Sequence, residues 1–404
     1  MGTLLKSKNS KYWFLVGATL MLLQFVSCKK GSPIFNSNTF LKTYETDSQA
    51  KGGTLELMPD GGFTILVDEG SGRPVIIRTD KYGNPVWKKT IQKYSGVFSS
   101  QNTIWNAFNT IDPAHFVYQF NGSFTLMDTL GKVDNYAYLP SATTSFGEMI
   151  QQGSDYIVPS CNGEYLGGAP TNKIYTFDNN LNLKRTDSIP DAWLGGHTEY
   201  LFVNYALSQG NYIISGQKFP RNVWQYGNPI KVFAAKVLSS GKVQQTIIDS
   251  GDSRHSDGIL WTTNTSDSGL IMLCYRQDYG TTYYHPMVIK IDKNLDTVWV
   301  KEYPSGSNNS VLSNLTFCSD GGYIMTGQIS NTAFQNGQPY AIRIDKNGNE
   351  LWTKSFSFSG TSSLWSATEL SDGHLAFIGY SNGFGNEILG TRILFIKTDS
   401  NGNL

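Results

Sequence analysis

The residue types best suited to acid–base or metal chemistry lie together in two short segments, residues 191–200 and 249–257. General acid–base catalysis and metal binding both need carboxylates and imidazoles that converge from several parts of a fold. The chain has five histidines and no H-x-x-x-H pair. We therefore predict no catalytic residue and no metal site, and we expect these side chains to be solvated loop residues. The candidates are Trp193 and His197 in the first segment, and Asp252, Arg254, His255 and Asp257 in the second.

Aromatic and amide residues are concentrated in two further segments, Phe219–Pro229 and Arg276–Pro286. Tyrosine and tryptophan give a large contact area at a low entropic cost, so their rings can stack on sugars or hold a peptide. The same rings could instead fill gaps in the protein interior and order their own loops. For a ligand site, the sequence predicts the set Trp193, His197, Trp224, Tyr226, His255, Tyr283, Tyr284 and His285.

Cysteine spacing and charge exclude several classes of protein. Besides Cys28, the cysteines are Cys161, Cys274 and Cys318, and none belongs to a C-x-x-C pair, which excludes the common zinc and thioredoxin-like motifs. Either two of the three form a disulfide, or all three are small buried apolar residues. Charged residues make up 16% of the chain and form no basic stripe, so nucleic acid is not an expected partner.

The N-terminus has the pattern of a bacterial lipoprotein signal peptide, which we assign to residues 1–27. A basic start precedes the apolar run Tyr12–Val26, which is shorter than the roughly 20 residues that span a bilayer. A small residue then precedes Cys28, whose sulfur would carry the lipid. An ordinary secretory signal and an anchor helix are the alternatives. Residues 28–37 would link the lipidated cysteine to the folded domain.

An internal repeat organises the rest of the chain. Its first unit is a turn followed by a strand, as in Ser319–Gly327 (SDGGYIMTG) and Ser371–Gly379 (SDGHLAFIG). Asp and Gly before a run of aromatic and β-branched residues are typical of hairpins. Seven copies are recognisable, and the anchor residues that start their strands are Phe63, Phe116, Tyr156, Tyr212, Leu270, Tyr323 and Leu375.

A second unit follows each copy of the first. It is an apolar strand that runs into an Asp-x-Asn-Gly turn and then a strand with Trp, as in Ile344–Trp352. Each repeat thus holds four antiparallel strands, A to D, which is typical of a β-propeller blade. We predict an all-β fold, a seven-bladed β-propeller of four-stranded antiparallel blades, as a single domain over residues 38–404.

The two ends of the repeat region match each other. The seventh copy stops at Leu404, where its strand D should begin. The strand D pattern recurs near the N-terminus, where Phe40–Tyr44 (FLKTY) matches Trp352–Phe356 (WTKSF). We therefore expect residues 38–45 to supply strand D of the last blade and to close the ring, because closure removes an open sheet edge.

Two regularities of the repeat are assigned to structure. The Asp-x-Asn-Gly turns lack the distal glutamate of a calcium loop, so we interpret them as hairpin turns. A basic residue two positions before the turn Asp indicates packing or a local ion pair. The residues concerned are Arg78, Lys290, Arg343 and Lys397, with Lys236 at the equivalent position.

The Gly-Gly-Tyr-Ile and Asp-x-Asn-Gly-x-x-Trp motifs resemble the repeats of bacterial propeller lipoproteins, which are typical of Bacteroidota. The resemblance covers residues 38–404 and implies the fold more than the function. The repeat is distantly similar to quinoprotein-like propellers, which bind their quinone beneath two adjacent cysteines. No adjacent cysteines occur here, so no cofactor is expected. The turns are also similar to sialidase Asp-boxes, but Asp345 precedes Trp352 by seven positions instead of five.

The blade geometry indicates where a site would lie. In a four-stranded blade, the A–B and C–D turns share one face of the disc, and the B–C and D–A connections share the other. We call these the short-turn face and the loop face. The repeats predict short A–B and C–D turns and longer, variable connections on the loop face, and variable loops on a rigid scaffold are where function concentrates.

These features favour a lipid-anchored envelope protein that binds or scaffolds, and that presents its loop face to a glycan or protein partner. The alternative is a glycan-active hydrolase or lyase with its site at the mouth of the propeller channel. A structural subunit of an envelope complex is a third interpretation. We expect a monomer, anchored in the bacterial outer membrane by its lipid. Lys29 and Lys30 favour the periplasmic side, because surface export in Bacteroidota is associated with acidic residues at these positions.

Overall fold

A computed structural model describes the chain over residues 39–46, 50, 52–68, 74–90, 108–112, 115–120, 123–139, 145–146, 149–161, 171–190, 197–208, 211–219, 231–240, 243–248, 255–278, 283–303, 308–331, 337–384 and 391–404. Within these ranges the secondary structure consists of β-strands and turns. No helix of this part is long and apolar enough to cross a membrane. The predicted signal peptide, Cys28 and the linker 28–37 lie outside the described residues.

The strands form antiparallel sheets, which we number 1 to 7 in chain order. The sheet that contains β1 comes last, because its other strands lie at the C-terminal end. Sheet 1 holds β2 (Gly52–Leu57), β3 (Phe63–Asp68), β4 (Pro74–Thr79) and β5 (Pro85–Thr90); sheet 2 holds β6 (Phe108–Asp112), β7 (His115–Phe120), β8 (Ser123–Asp128) and β9 (Val133–Tyr138). Sheet 3 holds β10 (Ser145–Phe146), β11 (Ile150–Gln152), β12 (Asp155–Cys161), β13 (Thr171–Phe177) and β14 (Leu183–Pro190); sheet 4 holds β15 (His197–Ser208), β16 (Asn211–Phe219), β17 (Lys231–Val237) and β18 (Val243–Ile248). Sheet 5 holds β19 (His255–Asn264), β20 (Leu270–Asp278), β21 (Tyr284–Ile291) and β22 (Thr297–Glu302); sheet 6 holds β23 (Asn309–Phe317), β24 (Tyr323–Ser330), β25 (Gln338–Ile344) and β26 (Glu350–Ser355). Sheet 7 holds β27 (Ser362–Glu369), β28 (Leu375–Ser381), β29 (Arg392–Thr398) and β1 (Phe40–Tyr44).

This architecture confirms an all-β propeller with four-stranded antiparallel blades. Six of the sheets have four strands, as predicted. Sheet 3 has five, so the prediction that all seven blades have four strands is wrong for this sheet. There, β10 and β11 both pair with β12, and the register moves from Phe146 opposite Ser160 to Ile150 opposite Ile157. Four residues advance on one strand against three on the other, and such an extra residue interrupts a ladder as a β-bulge does. The first strand of sheet 3 is therefore divided in two.

The anchor residues predicted from the repeat lie on the second strand of each sheet, as expected. Six of them have described side chains, and all six are buried. The third strand is also apolar, and all six residues of β4 are buried. Burial on both faces is what sheets stacked between neighbours require. The fourth strand is mostly exposed, as in β5, which places it at the outer edge.

Buried clusters join successive sheets. One cluster combines Ile214 and Phe233 of sheet 4 with Ile157 and Ile174 of sheet 3, and equivalent clusters join sheets 2 and 3, 4 and 5, 5 and 6, 6 and 7, and 7 and 1. Sheets 1 and 2 meet through a hydrogen bond at their outer strands. There, Trp87 Nε1 donates to Thr129 O over 3.1 Å. The core is thus a series of layers between neighbouring sheets.

Strand β1 occupies the outer edge of sheet 7. It pairs antiparallel with β29, with Phe40 opposite Lys397 and Tyr44 opposite Ile393. Its side chains also contact the C–D turn of sheet 1, where Lys42 Nζ donates to Asn84 Oδ1 and Tyr44 donates its hydroxyl hydrogen to the carbonyl oxygen of Gly83 over 2.8 Å. Strand β1 therefore pairs with sheet 7 and contacts the C–D turn of sheet 1.

The same contacts recur between sheets 5 and 6. Tyr303, which follows β22, donates its hydroxyl hydrogen to Gly348 O over 2.9 Å, and Lys301 Nζ donates to Asn349 Oδ1 over 3.4 Å. Gly348 has φ +77° and a Cβ there would lie 3.0 Å from the ring of Trp299, so glycine is favoured here, although Leu181 and Leu295 occupy the equivalent position with φ +63° and +71°. The Trp-x-Lys-x-Tyr pattern is therefore a clamp on the C–D turn of the next sheet, and β1 supplies the same clamp for sheet 1.

Local ion pairs are present for three of the five basic residues singled out in the repeat. Arg78 pairs with Asp60 at 2.5 Å, Lys290 with Asp267 at 2.8 Å and Arg343 with Asp320 at 2.7 Å. Each acid belongs to the A–B turn of the sheet whose third strand carries the base. The repeated basic residues thus hold the turns and do not form a ligand site. In the C–D turns, the carboxylates accept hydrogen bonds from their own backbone, as Asp345 Oδ1 does from the amides two and four positions on.

Candidate ligand site at the loop face of sheet 5

The connections between strands have the expected asymmetry. Every described A–B and C–D turn is at most five residues long, as in Met58–Gly62 between β2 and β3. The B–C and D–A connections vary in length from two residues, at 121–122, to seventeen residues, at 91–107. The ends of the strands that carry the longer connections define the loop face.

At the loop face of sheet 5, charged residues form a row across the strands. Asp257 on β19 lies opposite Arg276 on β20, and Arg276 lies opposite His285 on β21. Residues directly opposite each other in an antiparallel pair project from the same side of the sheet. Glu302 ends β22 at the same edge. Four strands therefore each contribute one ionisable side chain to a single row.

Ion pairs connect the members of this row. Arg276 Nε donates to Asp257 Oδ1 over 2.9 Å, and its Nη2 donates to Asp257 Oδ2 over 3.0 Å, which makes a bidentate pair. The Arg276 Nη1 group contacts Glu302 Oε1, and His285 Nε2 lies 3.2 Å from Glu302 Oε2. The side chains of Asp257 and Arg276 are only 5% and 10% exposed, whereas that of Glu302 is 41% exposed. The row thus runs from a buried pair to a solvent-facing carboxylate.

The row faces sheet 4. Cys274, two residues before Arg276, lies in the apolar cluster between sheets 4 and 5, and burial raises the pKa of its thiol well above the ordinary value. Gln217 of sheet 4 accepts a hydrogen bond from the backbone N–H of Ile259 over 3.1 Å. The buried pair therefore lies above a packed apolar interface and beside a polar contact that joins the two sheets.

Aromatic side chains occupy the opposite side of sheet 5. The rings of Tyr275 and Tyr284 meet edge to face with centroids 5.5 Å apart. A Cβ at Gly258 would overlap the Tyr275 ring, so this glycine makes room for the aromatic residue across the strand. The backbone N–H of Tyr284 donates to Asn309 Oδ1 of sheet 6 over 2.8 Å. Tyr283, at the tip before β21, is exposed.

The structure places five of the eight predicted ligand-binding residues near this edge. Tyr283, Tyr284 and His285 belong to it directly. His255 begins β19 opposite Asp278, and His197 begins β15 at the loop face of the neighbouring sheet 4, although the side chains of both lie outside the described residues. The remaining predicted residues, Trp193, Trp224 and Tyr226, lie outside the described part of the chain, as do Asp252 and Arg254.

Two expectations about these segments are wrong. Asp257 is not a solvated loop residue but a buried strand residue paired with Arg276, because β19 begins at His255. The aromatic segment 276–286 is mostly strand, since β20 extends to Asp278 and β21 begins at Tyr284. Polar residues at strand ends resemble loop residues in sequence, and only cross-strand register reveals that they are paired.

Sequence reasoning missed Arg276 and Glu302 as members of the site. The available signal was an arginine at the end of an apolar strand, with a carboxylate at the start of the preceding strand. Glu302 gave no signal, because it lies 26 residues from Arg276 along the chain. The other described cysteine, Cys318, is a buried free thiol whose pKa burial raises to about 12. The side chain of Cys161 is outside the described residues.

The arrangement is suited to binding polar groups. The arginine binds both carboxylates, and the row presents the 41% exposed Glu302 carboxylate to solvent, with the His285 imidazole behind it at 17% exposure. Among the described residues, no group of three or more His, Cys, Asp or Glu side chains is placed to hold a metal ion.

Comparison with known proteins gives distant structural similarities alone. No family model matches the chain, and no curated protein matches it. Among solved structures, BBS1N in complex with ARL6DN has a TM-score of 0.49 and 10% sequence identity, over 92% of this chain and 100% of that chain. A luciferin-regenerating enzyme has a TM-score of 0.41 and 8% identity, over 89% of this chain and 95% of that chain. A protein of unknown function from Bacteroides caccae has a TM-score of 0.41 and 10% identity, over 79% of this chain and 94% of that chain.

Proposed function

We propose that this propeller is a binding or scaffold protein that recognises a glycan or protein partner at its loop face, with sheet 5 as part of the contact surface. The observation that carries the proposal is the row Asp257–Arg276–His285–Glu302, which joins a buried, bidentate ion pair to an exposed carboxylate, with the exposed Tyr283 two residues before His285. A fixed polar row next to an exposed aromatic ring supplies both hydrogen bonds and stacking area.

Hydrolysis at this row is less well supported than binding. A glycosidase needs one carboxyl group that can donate a proton and another that acts as a base or nucleophile. Here a single arginine binds both carboxylates, and the Asp257 side chain is only 5% exposed, so Glu302 is the one carboxylate of the row that reaches solvent. The row therefore supports recognition of polar groups better than proton transfer.

An array of bacterial envelope and host glycans, probed with the soluble Cys28→Ser chain, tests the proposal. We expect Tyr283→Ala and His285→Ala each to reduce binding by about tenfold, since truncating an aromatic or charged residue at the centre of a contact costs more than about 1 kcal/mol. Tyr136→Ala is the matched control, because this tyrosine is exposed on the outer strand β9. Binding that both variants retain would contradict the assignment of the surface. Shortened glycan products would favour the hydrolase or lyase.

The membrane anchor belongs to the same proposal. A lipid on Cys28 would hold a monomeric propeller at the outer membrane, on its periplasmic side. The supporting observation is the basic, apolar and Ser-Cys pattern of residues 1–28. Cys28→Ser should move the protein from the membrane fraction to the soluble fraction, and intact mass should show the lipid only in the parent protein. Retention of the variant in the membrane fraction would contradict lipid anchoring.

The finer architecture proposed is one domain over residues 38–404, a ring of seven blades closed by β1. Its support is the clamp of Tyr44 on Gly83, which repeats that of Tyr303 on Gly348, and the apolar cluster that joins Phe395 to Phe63. Deleting residues 38–45 should expose an edge of sheet 7 and sharply lower the midpoint of thermal unfolding. A deletion variant as stable as the parent would show that β1 does not close the ring.

A further inference from the structure

The chain enters the fold at the short-turn face. Phe40, the first residue of β1, lies opposite Lys397, next to the C–D turn that ends the described chain. A Cβ at Gly83 would lie 2.9 Å from the ring of Phe40, so β1 begins beside the C–D turn of sheet 1. Eleven residues separate Cys28 from Phe40, and a segment of this length spans at most about 40 Å. A lipid on Cys28 would therefore tether the propeller from its short-turn face.

Two successive C–D turns on this face expose large apolar side chains. We define the tip of each C–D turn as the second and third residues of that turn. Tyr82 at the tip of sheet 1 is 53% exposed, and Leu130 at the tip of sheet 2 is 76% exposed. In the other sheets, the tip residues are polar or charged: Asn179 and Asn180, Ser239 and Ser240, Lys293 and Asn294, Lys346 and Asn347, and Ser400 and Asn401.

The two apolar tips lie next to the point where the chain enters. The turn of Tyr82 is the one that β1 clamps through Gly83, and the turn of Leu130 is the one that receives the hydrogen bond from Trp87 of sheet 1. The order around the face is therefore β1, the Tyr82 turn and the Leu130 turn. These tips form one corner of the short-turn face, at the sheets closest to the tether.

The side chains of this corner combine aromatic, apolar and lysine groups. Lys81 Nζ lies 5.1 Å from the centroid of the Tyr82 ring, and Lys132, exposed two residues after Leu130, pairs with Asp134 over 3.0 Å. The acids of the two turns, Asp80 and Asp128, use carboxylate oxygens to accept backbone hydrogen bonds within their own turns. Tyrosine and lysine side chains are favoured where protein meets lipid headgroups.

We infer that the corner formed by the turns of Tyr82 and Leu130 lies against the bilayer that holds the Cys28 lipid, with the loop face directed away from it. The inference rests on the proposed lipid anchor. The lipid on Cys28 holds the propeller at the bilayer but does not by itself decide its orientation, so a second contact with the bilayer decides which face turns towards it. The loop face is then the part of the propeller that a partner in the aqueous phase reaches first.

Environment-sensitive fluorophores on the lipidated full chain can test the orientation. Tyr82→Cys and Leu130→Cys would carry the probe at the corner, and Asn331→Cys, an exposed residue after β24, would carry it at the loop face. The background is Cys161→Ser, since Cys274 and Cys318 are buried. The proteins are reconstituted in vesicles of phosphatidylethanolamine and phosphatidylglycerol, with and without a nitroxide-labelled lipid as quencher.

Both corner probes should shift their emission to the blue on vesicles and lose intensity with the nitroxide lipid, while the Asn331 probe stays unchanged. Quenching at Asn331 alone, or at none of the three positions in a protein whose lipid is verified by mass, would overturn the orientation and leave the anchor intact. A blue shift at Tyr82 that grows with protein concentration in detergent would indicate contact between copies and would also overturn it. Absence of lipid on Cys28 would overturn the anchor and the inference together.

Discussion

Replacing Arg276 by Met should destabilise the propeller more than any other single change to its ion pairs. The variant keeps an unbranched side chain of similar length in β20 but removes the guanidinium that holds two carboxylates. Asp257, only 5% exposed, is then a buried charge with its partner removed. Methionine preserves much of the packing, so the effect reports the unpaired charge.

The magnitude follows from the burial of each partner. Breaking a buried ion pair by removing one member costs about 3–5 kcal/mol, because the remaining charge is desolvated without compensation. The contact with Glu302 adds about 0–1 kcal/mol, since its carboxylate is 41% exposed and solvent screens the pair. We therefore expect Arg276→Met to lower the free energy of unfolding by about 3–6 kcal/mol.

Urea denaturation of the soluble Cys28→Ser chain measures this loss. The matched control is Arg392→Met, which breaks a 3.4 Å pair with Glu45, a carboxylate that is 81% exposed. This control should cost about 0–1 kcal/mol. The double variant Arg276→Met/Asp257→Val removes both buried charges together and should recover most of the stability, as replacement of a whole buried pair by apolar residues generally does.

Two results would refute this reasoning. If Arg276→Met costs no more than Arg392→Met, the pair with Asp257 is not desolvated in the way that the structure shows. If the double variant loses the sum of the two single losses, the cost comes from packing and not from an unpaired charge. A double-mutant cycle separates these cases, because residues in contact deviate from additivity when they interact.

Three further predictions concern the pH dependence of two carboxyl groups and the space around one glycine. Burial raises the pKa of Glu56 to about 7 from an ordinary 4.5, so the folded state holds this proton more tightly than the unfolded state. Stability should fall by up to about 3 kcal/mol as pH rises from 4.5 to 7, a slope that Glu56→Gln should remove in denaturation curves. The ammonium of Lys290 and the hydroxyl of Thr265 lower the pKa of Asp267 to about 2, so its contribution to stability is present above pH 4 and is lost as pH falls towards 2. Carboxyl NMR titration should show this pKa rise in Lys290→Met, and an unchanged value would refute the assignment. Gly327→Ala should destabilise by about 1–3 kcal/mol, because a Cβ there would overlap the backbone of β23, and unchanged thermal unfolding would contradict this.

Much of the fold could be predicted from local patterns. The anchor residues predicted from the repeat lie in β3, β7, β12, β16, β20, β24 and β28, and the strand expected within residues 38–45 is β1 (Phe40–Tyr44). Turn residues and apolar runs act over four to eight neighbouring positions, so they are readable without tertiary information. The extra residue in sheet 3 was not predicted, since a bulge depends on the partner strand as much as on its own sequence.

The candidate site was only partly predictable, for the opposite reason. Tyr283, Tyr284 and His285 were selected because they cluster along the chain. Asp257 was assigned to solvent, and Glu302 was not selected. A carboxylate at a strand end looks the same in sequence whether it faces water or a guanidinium, and the difference depends on cross-strand register.

The sequence by itself determined the repeat, the strands and the turn chemistry, and it indicated packing or a local ion pair for the repeated basic residues. All of these are contacts within one repeat, between residues whose spacing recurs from copy to copy. Only the tertiary structure decided that Arg276 joins Asp257 to Glu302, and that Tyr82 and Leu130 stand at one corner beside β1. Those arrangements depend on how strands from distant parts of the chain are aligned and on which sheet follows which, and no local pattern encodes that order.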